Sequence, residues 1–191
     1  MNQAREVCEV LKEAYRRGWI SAKDGNVSVW DHETNTLLIT PSGVNKYDLR
    51  PSDLIDLDAT EEGASMELAM HLGLQSPVST EDRCVLHLHP THIIAAMYAG
   101  IDLKKLSKEF PEVSRYTKVG PNVPKVPATS RELAEKTAKC LGVDRYVILK
   151  YDIVGQANHG VCAVGKNPWE AFKHVERLEH ICQIALLAKK F

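Results

Sequence analysis

The stretch Cys84-Val-Leu-His-Leu-His-Pro90 predicts a β-strand that brings two histidines to one side of a sheet. It alternates apolar and polar residues and has a β-branched residue near its start, which is typical of a strand. Side chains two positions apart on a strand point to the same face, so the imidazoles of His87 and His89 can reach one cation. A third histidine, His159, stands in the turn-like stretch Ala157-Asn-His-Gly160. Three histidines without a fourth cysteine or histidine nearby favour a catalytic zinc centre, which keeps an open position, over a structural one.

Two segments closer to the N-terminus carry groups that could bind an anion. In Lys23-Asp-Gly-Asn-Val-Ser28, Gly25 and Asn26 open a predicted strand and offer backbone N–H groups and a side-chain amide. Such groups form nests that bind anions, phosphate in particular. The turn Thr40-Pro-Ser-Gly43 could close round the same anion with its hydroxyl and amides. Each segment alone is more often an ordinary turn, just as a lone His-X-His is more often part of an ordinary strand.

Glu67 is a candidate general acid or base. It opens a helix predicted over residues 66–74 and shares a helical face with His71, four positions later. A glutamate in a first helical turn usually just complements the helix dipole. If it faces a substrate bound to the histidines, it can instead transfer a proton, which contributes a factor of roughly 10² to 10⁴ to a reaction rate.

The composition is that of an ordinary globular protein and excludes several classes of function. A chain of 191 residues, 44% hydrophobic and 26% charged, fits one domain over residues 1–191. A net charge of -1 predicts no binding of nucleic acid or of an anionic membrane surface, and no apolar run approaches the roughly 18 residues of a membrane span. The five cysteines form no Cys-X-X-Cys pair, and the first residues lack the apolar core of a signal peptide. We therefore expect reduced thiols and a cytoplasmic location.

Hydrophobic periodicity along the rest of the chain predicts one α/β domain, a sheet covered by helices. Helices are predicted over residues 4–15, 66–74, 91–99 and 129–141 and from Pro168 onward. Strands are predicted around residues 27–29, 36–40, 54–57, 84–89, 146–149 and 161–164, the first two as a hairpin. The prolines between residues 111 and 127 predict an irregular stretch, and the charged residues 104–109 predict a solvated face.

Five motifs in a fixed order resemble the class II aldolase/adducin superfamily, and within it the small sugar-phosphate aldolases of the fuculose-phosphate type. They are Gly25-Asn-Val-Ser28, Leu38-Ile-Thr-Pro-Ser-Gly43, Ser65-X-Glu67, His87-X-His89 and Asn158-His-Gly-Val-X-Ala-Val-Gly165. The resemblance extends from the first motif to the final helix. It implies a three-layer α/β/α sandwich with a central mixed, largely antiparallel sheet, and a homotetramer with active sites at subunit interfaces.

The resemblance also implies a role for each matched residue. One Zn²⁺ per chain would be bound by His87, His89 and His159, with Glu67 as the catalytic acid/base. The substrate's phosphate would be bound by Gly25, Asn26, Ser42, Gly43 and Ser65. Tyr116 would match a tyrosine that protonates the aldehyde oxygen.

The function implied is a zinc-dependent aldolase, which cleaves a phosphorylated ketose to dihydroxyacetone phosphate and an aldehyde through a metal-stabilised enediolate. The alternative is a sibling with different chemistry: a pentulose-phosphate 4-epimerase, a sugar-acid phosphate decarboxylase or a methylthioribulose-phosphate dehydratase. The epimerases typically carry aspartate where Glu67 stands, which counts against that sibling. A third hypothesis is a non-catalytic module like the head of adducin, which would be expected to lack the three histidines.

Overall fold

The computed structural model describes residues 2–75 and 81–188, which form a six-stranded sheet with helices on both faces. The strands are β1 Asn26–Asp31, β2 Thr36–Ile39, β3 Ile55–Asp56, β4 Arg83–Leu88, β5 Ile153–Gln156 and β6 Gly160–Gly165. The helices are α1 Asn2–Arg16, α2 Leu68–Leu74, α3 Thr91–Tyr98, α4 Leu103–Lys108, α5 Pro111–Tyr116, α6 Arg131–Leu141 and α7 Pro168–Ala188. Short 3-10 turns cover Lys46–Asp48 and Pro51–Asp53.

The sheet has the order β3-β2-β1-β4-β6-β5, and all five ladders between these strands are antiparallel. Two isolated parallel bridges, Val119 to Ile153 and Val123 to Gln156, add an extended segment along the outer edge of β5. The predicted mixed, largely antiparallel sheet is therefore confirmed. So is the hairpin of β1 and β2, in which Ser28 pairs with Ile39.

The two faces of the sheet bury two separate cores, as the alternation along β4 dictates. Leu86 and Leu88 face one core, which contains residues of α1, α3 and α7. Val85, on the opposite face, packs in a second core with residues of α2 and α6. This arrangement confirms the predicted three-layer α/β/α sandwich, and it places His87 on the same face as Val85. Within the residues described, no helix is both long and apolar enough to cross a membrane.

The strand predicted over residues 146–149 is wrong. This segment is an exposed loop, and the strand that precedes His159 is β5. The Asp144 carboxylate accepts hydrogen bonds from the backbone N–H groups of Tyr146 and Ile148, at 2.8 and 2.9 Å. Val147 between them is left-handed at φ 57°. The Asp144 side chain thus closes a turn, which overrides the β propensity of this short apolar run.

Other boundaries differ because capping and tertiary burial decide them. The helix predicted over 66–74 begins at Leu68, with Glu67 at its N-cap. The stretch predicted to be irregular contains α5, which starts at Pro111, a favoured first helical position. Residues 104–109 mostly form α4, which is solvated on one face only, because Leu106 is buried. Ser130 caps the start of α6, where its hydroxyl oxygen accepts a hydrogen bond from Leu133 N at 3.0 Å.

Candidate active site

The three predicted metal ligands converge at one end of the sheet. His87 lies in β4, His89 follows the end of that strand, and His159 lies in the turn between β5 and β6. Because β6 runs antiparallel to β4, with Val161 opposite Leu88, this turn lies beside the end of β4. Nitrogen atoms of the three imidazoles lie within 4.8 Å of one another, and His87 Nε2 is 2.7 Å from His89 Nε2. The trio could therefore hold a metal ion.

Backbone contacts and burial prepare these imidazoles to act as ligands. The Val161 carbonyl oxygen, which can only accept, lies 2.9 Å from His87 Nδ1. The proton of His87 is therefore on Nδ1, and Nε2 carries the lone pair that can bind a metal. Burial lowers the pKa of His87 well below its ordinary value and lowers the pKa of His159 to about 4. The pKa of His89 is lowered for the same reason. Neutral imidazoles are the form that binds a metal, so near pH 7 few protons compete with it.

Gly160 allows the turn of His159 to approach β4 closely. A Cβ atom at this position would lie 2.4 Å from Leu88 O, 2.7 Å from His89 Cδ2 and 3.1 Å from His87 Cε1. No side chain fits there unless the histidines or the backbone of β4 move. The glycine in Asn-His-Gly is thus a steric requirement of the histidine cluster.

Gly160→Ala is therefore expected to lower the free energy of unfolding by about 1–3 kcal/mol, the usual cost of overpacking, and to weaken metal binding. Gly73→Ala is the control, because a Cβ at this helical position meets nothing within 4 Å. Urea unfolding and a zinc titration of both variants test the prediction. Equal zinc affinity in the two variants would show that the close approach is not needed for the site.

Glu67 faces the histidines with an unpaired carboxylate. Its Oε2 lies 3.3 Å from His87 Nε2, its Oε1 lies 3.6 Å from His159 Nε2, and the side chain is only 6% exposed. Neither oxygen makes a well-formed hydrogen bond. Burial raises the pKa of Glu67, and the neighbouring Asn26 side chain and Thr129 backbone only partly offset this. A buried carboxyl with a raised pKa beside potential metal ligands is suited to proton transfer or to metal contact.

All the predicted site residues except Tyr116 line one cavity of about 350 Å³. The predicted anion-binding residues in its wall are Gly25, Asn26, Ser42, Gly43 and Ser65. Asn26 pairs directly with His87 across β1 and β4, which explains why the two motifs meet. The backbone amide of Ser42, expected to face an anion, instead donates to Gly63 O at 2.8 Å. The Ser42 contribution to the pocket is therefore its hydroxyl.

A buried hydrogen-bond chain fixes the orientation of the Asn26 amide. His71 Nε2 lies 2.5 Å from Asn26 Oδ1, and His71 Nδ1 lies 2.8 Å from Ser28 Oγ, which accepts from Gln75 Nε2 at 2.7 Å. Since Asn26 Oδ1 can only accept, His71 carries its proton on Nε2 and accepts from Ser28. The N–H groups of Asn26 are then left for the cavity and for Glu67.

The burial of His71 predicts a loss of stability in acid. Burial lowers the pKa of His71 from 6.5 to about 3. Between these two pH values, His71 binds a proton in the unfolded chain but stays neutral in the folded chain. The free energy of unfolding should fall as the pH falls from 6.5 towards 3, by up to ~1.4 kcal/mol per pH unit for each such histidine. Urea unfolding of metal-free protein at pH 7.5 and 5.5 measures this fall. His71→Gln should make it shallower, and His180→Gln, at an exposed position, should not; equal falls in both variants would contradict the assignment.

The cavity wall also contains residues that the sequence did not predict, and one predicted site residue lies elsewhere. Asp24, Lys46 and Thr129 line the cavity. Thr129 is left-handed at φ 59°, a strained conformation for a β-branched residue. Nothing in the sequence marks these residues except that Asp24 lies within an anion motif. Tyr116 is half-exposed and packs against Arg177, away from this cavity.

The chain is similar to known proteins along nearly its whole length. The family model described as "Class II Aldolase and Adducin N-terminal domain" matches residues 5–186. The chain belongs to this class II aldolase family.

Relatives of two activities are found within the class II aldolase family. An L-fuculose phosphate aldolase of Methanococcus maripaludis (strain S2) is 30% identical, over 94% of this chain and 92% of that protein. A methylthioribulose-1-phosphate dehydratase of Bacillus cereus (strain AH187) is 27% identical, over 93% of this chain and 86% of that protein. The crystal structure of the L-fuculose-1-phosphate aldolase from Thermus thermophilus superposes with a TM-score of 0.78 at 26% identity, covering 98% of this chain and 94% of that one. The fold, the family and its enzymatic character are thus shown, while the reaction has to be argued from the site.

Proposed function

We propose that this protein is a zinc-dependent aldolase that cleaves a phosphorylated ketose to dihydroxyacetone phosphate and an aldehyde. The observation that carries the proposal is the position of Glu67, whose unpaired carboxylate faces three neutral histidines inside a cavity that also contains the anion motifs. Proton donor, metal ligands and phosphate pocket are then within reach of one small sugar phosphate.

The donor set fits zinc in its catalytic form. Three neutral imidazoles from His87, His89 and His159 are a ligand set found in catalytic zinc sites, where a further position stays open for substrate. A bound Zn²⁺ would supply Lewis-acid stabilisation of the negative charge that develops at the substrate's carbonyl group. The unpaired, buried Glu67 oxygens beside the trio are consistent with a nearby cation.

Side chains of the protein would bind the substrate's phosphate group and transfer a proton to its reacting carbon. Cleavage of a carbon–carbon bond leaves an electron-rich carbon on the phosphate-bearing fragment, and the Glu67 carboxyl, which faces the three histidines, would carry a proton to that carbon. Hydroxyls of Ser42 and Ser65 and the Asn26 amide would hold the phosphate group. Binding energy at that remote group orients the reacting bond.

We extend the proposal to the assembly of the protein. The tyrosine assigned to the aldehyde oxygen, Tyr116, lies away from the cavity of its own chain. Its role therefore requires a neighbouring subunit's cavity, as in a homotetramer with interfacial active sites. We propose such a tetramer, acting in the cytoplasm, in which residues 1–191 of each chain form one domain.

The second candidate function is a methylthioribulose-1-phosphate dehydratase, which the Bacillus relatives favour. Elimination of water from a ketose 1-phosphate would use the same cavity, with Glu67 moving a proton at carbon, but it leaves the carbon chain whole. Product analysis separates the two functions.

The test is the incubation of zinc-loaded protein with a panel of ketose 1-phosphates, followed by assays for dihydroxyacetone phosphate and aldehyde. Equal amounts of both products from one substrate are the expected result. Loss of water without chain cleavage would replace the aldolase by the dehydratase, and a change in stereochemistry alone would indicate an epimerase. Recovery of every substrate unchanged would reject all three reactions for that panel.

A further inference from the structure

We propose that the ammonium group of Lys46 holds together the two turns of the anion pocket and supplies the positive charge that selects a phosphorylated substrate. The inference rests on the proposed function, because it assigns the pocket to the substrate's phosphate. It makes Lys46 a positioning residue that acts through the turns around it.

The hydrogen bonds of Lys46 join the two anion-binding segments. Its Nζ donates to Lys23 O at 3.3 Å, in the first segment, and to Pro41 O and Val44 O at 3.4 and 3.1 Å, on either side of Ser42 and Gly43. Its backbone N–H also donates to Ala22 O at 2.7 Å. One residue thus fixes the distance between the two turns that wall the cavity.

The charge of Lys46 lacks a carboxylate partner of its own. The residue is only 2% exposed, lines the cavity, and has no carboxylate oxygen within 4 Å in the part of the chain that the structure describes. Burial lowers the pKa of Lys46, and the negative charge of Asp24 opposes this effect only in part. A buried cation without a counter-ion is costly, and a phosphate dianion in the cavity would provide the missing charge.

Lys46 favours an anion in a different way from the other residues of the pocket. All three ammonium protons of Lys46 point to carbonyl oxygens, so none is left over for the ligand. Lys46 therefore favours an anion by its field and by the spacing of the turns, whereas Ser42, Ser65 and Asn26 offer the direct hydrogen bonds. Its removal should weaken the binding of phosphate more than it slows the chemical step.

The experiment compares Lys46→Met and Lys46→Gln with wild type and with Lys136→Met, a surface lysine that pairs with Glu132 on α6. Met keeps most of the length of the side chain without charge or donors, and Gln keeps donors without charge. The probe is inorganic phosphate, whose dissociation constant is measured by calorimetry on zinc-loaded protein. KM and kcat for the cleaved ketose 1-phosphate are measured in parallel. Using two variants keeps the test valid if one of them does not fold.

In the Met and Gln variants we expect the phosphate dissociation constant and KM to rise together by about tenfold, because the pocket loses a nearby positive charge and the spacing of its turns, while kcat changes less than about threefold. Lys136→Met should match wild type. Unchanged phosphate affinity, or a fall of kcat and zinc content with no rise in KM, would overturn the inference while the proposed aldolase could still stand. Tight, Lys46-dependent phosphate binding without any cleavage would instead reject the proposed function and keep the inference.

Discussion

Glu67→Gln is expected to lower kcat for ketose phosphate cleavage by about 10²- to 10⁴-fold, the usual contribution of a positioned acid or base. The amide has nearly the same shape as the carboxyl but cannot transfer the proton. Because Glu67 is not one of the three histidine ligands, zinc content should stay near that of wild type. Steady-state kinetics and metal analysis on the same preparation measure both quantities.

A surface glutamate serves as the control for this substitution. Glu132→Gln on α6 removes a carboxylate that pairs with Lys136, away from the cavity, and should leave kcat unchanged. Turnover of Glu67→Gln within about tenfold of wild type would show that another group moves the proton. The assignment of Glu67 would then be wrong, even with the zinc site intact.

His89→Ala is expected to abolish zinc binding and cleavage together. The substitution removes the imidazole whose Nε2 lies 2.7 Å from His87 Nε2 and leaves two ligands. Even loss of an outer-shell partner costs about 10–100-fold in metal affinity, so loss of a ligand should cost more. Zinc per chain after dialysis, measured by atomic emission, should fall from about one to near zero.

His92→Ala distinguishes loss of a ligand from loss of any nearby histidine. His92 lies three residues farther along the chain, in α3, where its Nδ1 contacts Glu179 Oε1 at 2.7 Å, outside the cavity. This variant should keep zinc and turnover. A His89→Ala protein that still binds zinc as tightly as wild type would remove His89 from the ligand set and with it the basis of the proposed reaction.

The sequence predicted the elements whose burial shows in the periodicity of their apolar residues. The strand that carries His87 and the β1–β2 hairpin were predicted because the alternation of apolar residues reflects burial in a sheet. The segment 146–149 has the same local character, yet the Asp144 side chain and solvent exposure make it a loop. Only the tertiary structure distinguishes the two cases.

The candidate site was predicted less by spacing than by the order of its motifs. Spacing alone brings His87 and His89 together, but the approach of His159 and Glu67 depends on strand pairing far apart in the chain. Lys46 was missed because a lysine three residues after a turn motif gives no sign of burial. The role of Tyr116 stays a prediction.

The extended segment that bridges to β5 limits the ways in which copies of this chain can associate. Gly120 N and Val123 N donate to the carbonyls of Ile153 and Gly155, at 2.8 and 2.7 Å, so hydrogen-bonding groups on that outer edge are already engaged. At the opposite edge, β3 is only two residues long. Among the residues that the structure describes, neither border carries a long free strand to which another polypeptide could add. Contacts through side chains of helices and loops are therefore favoured over extension of the sheet from one chain to the next.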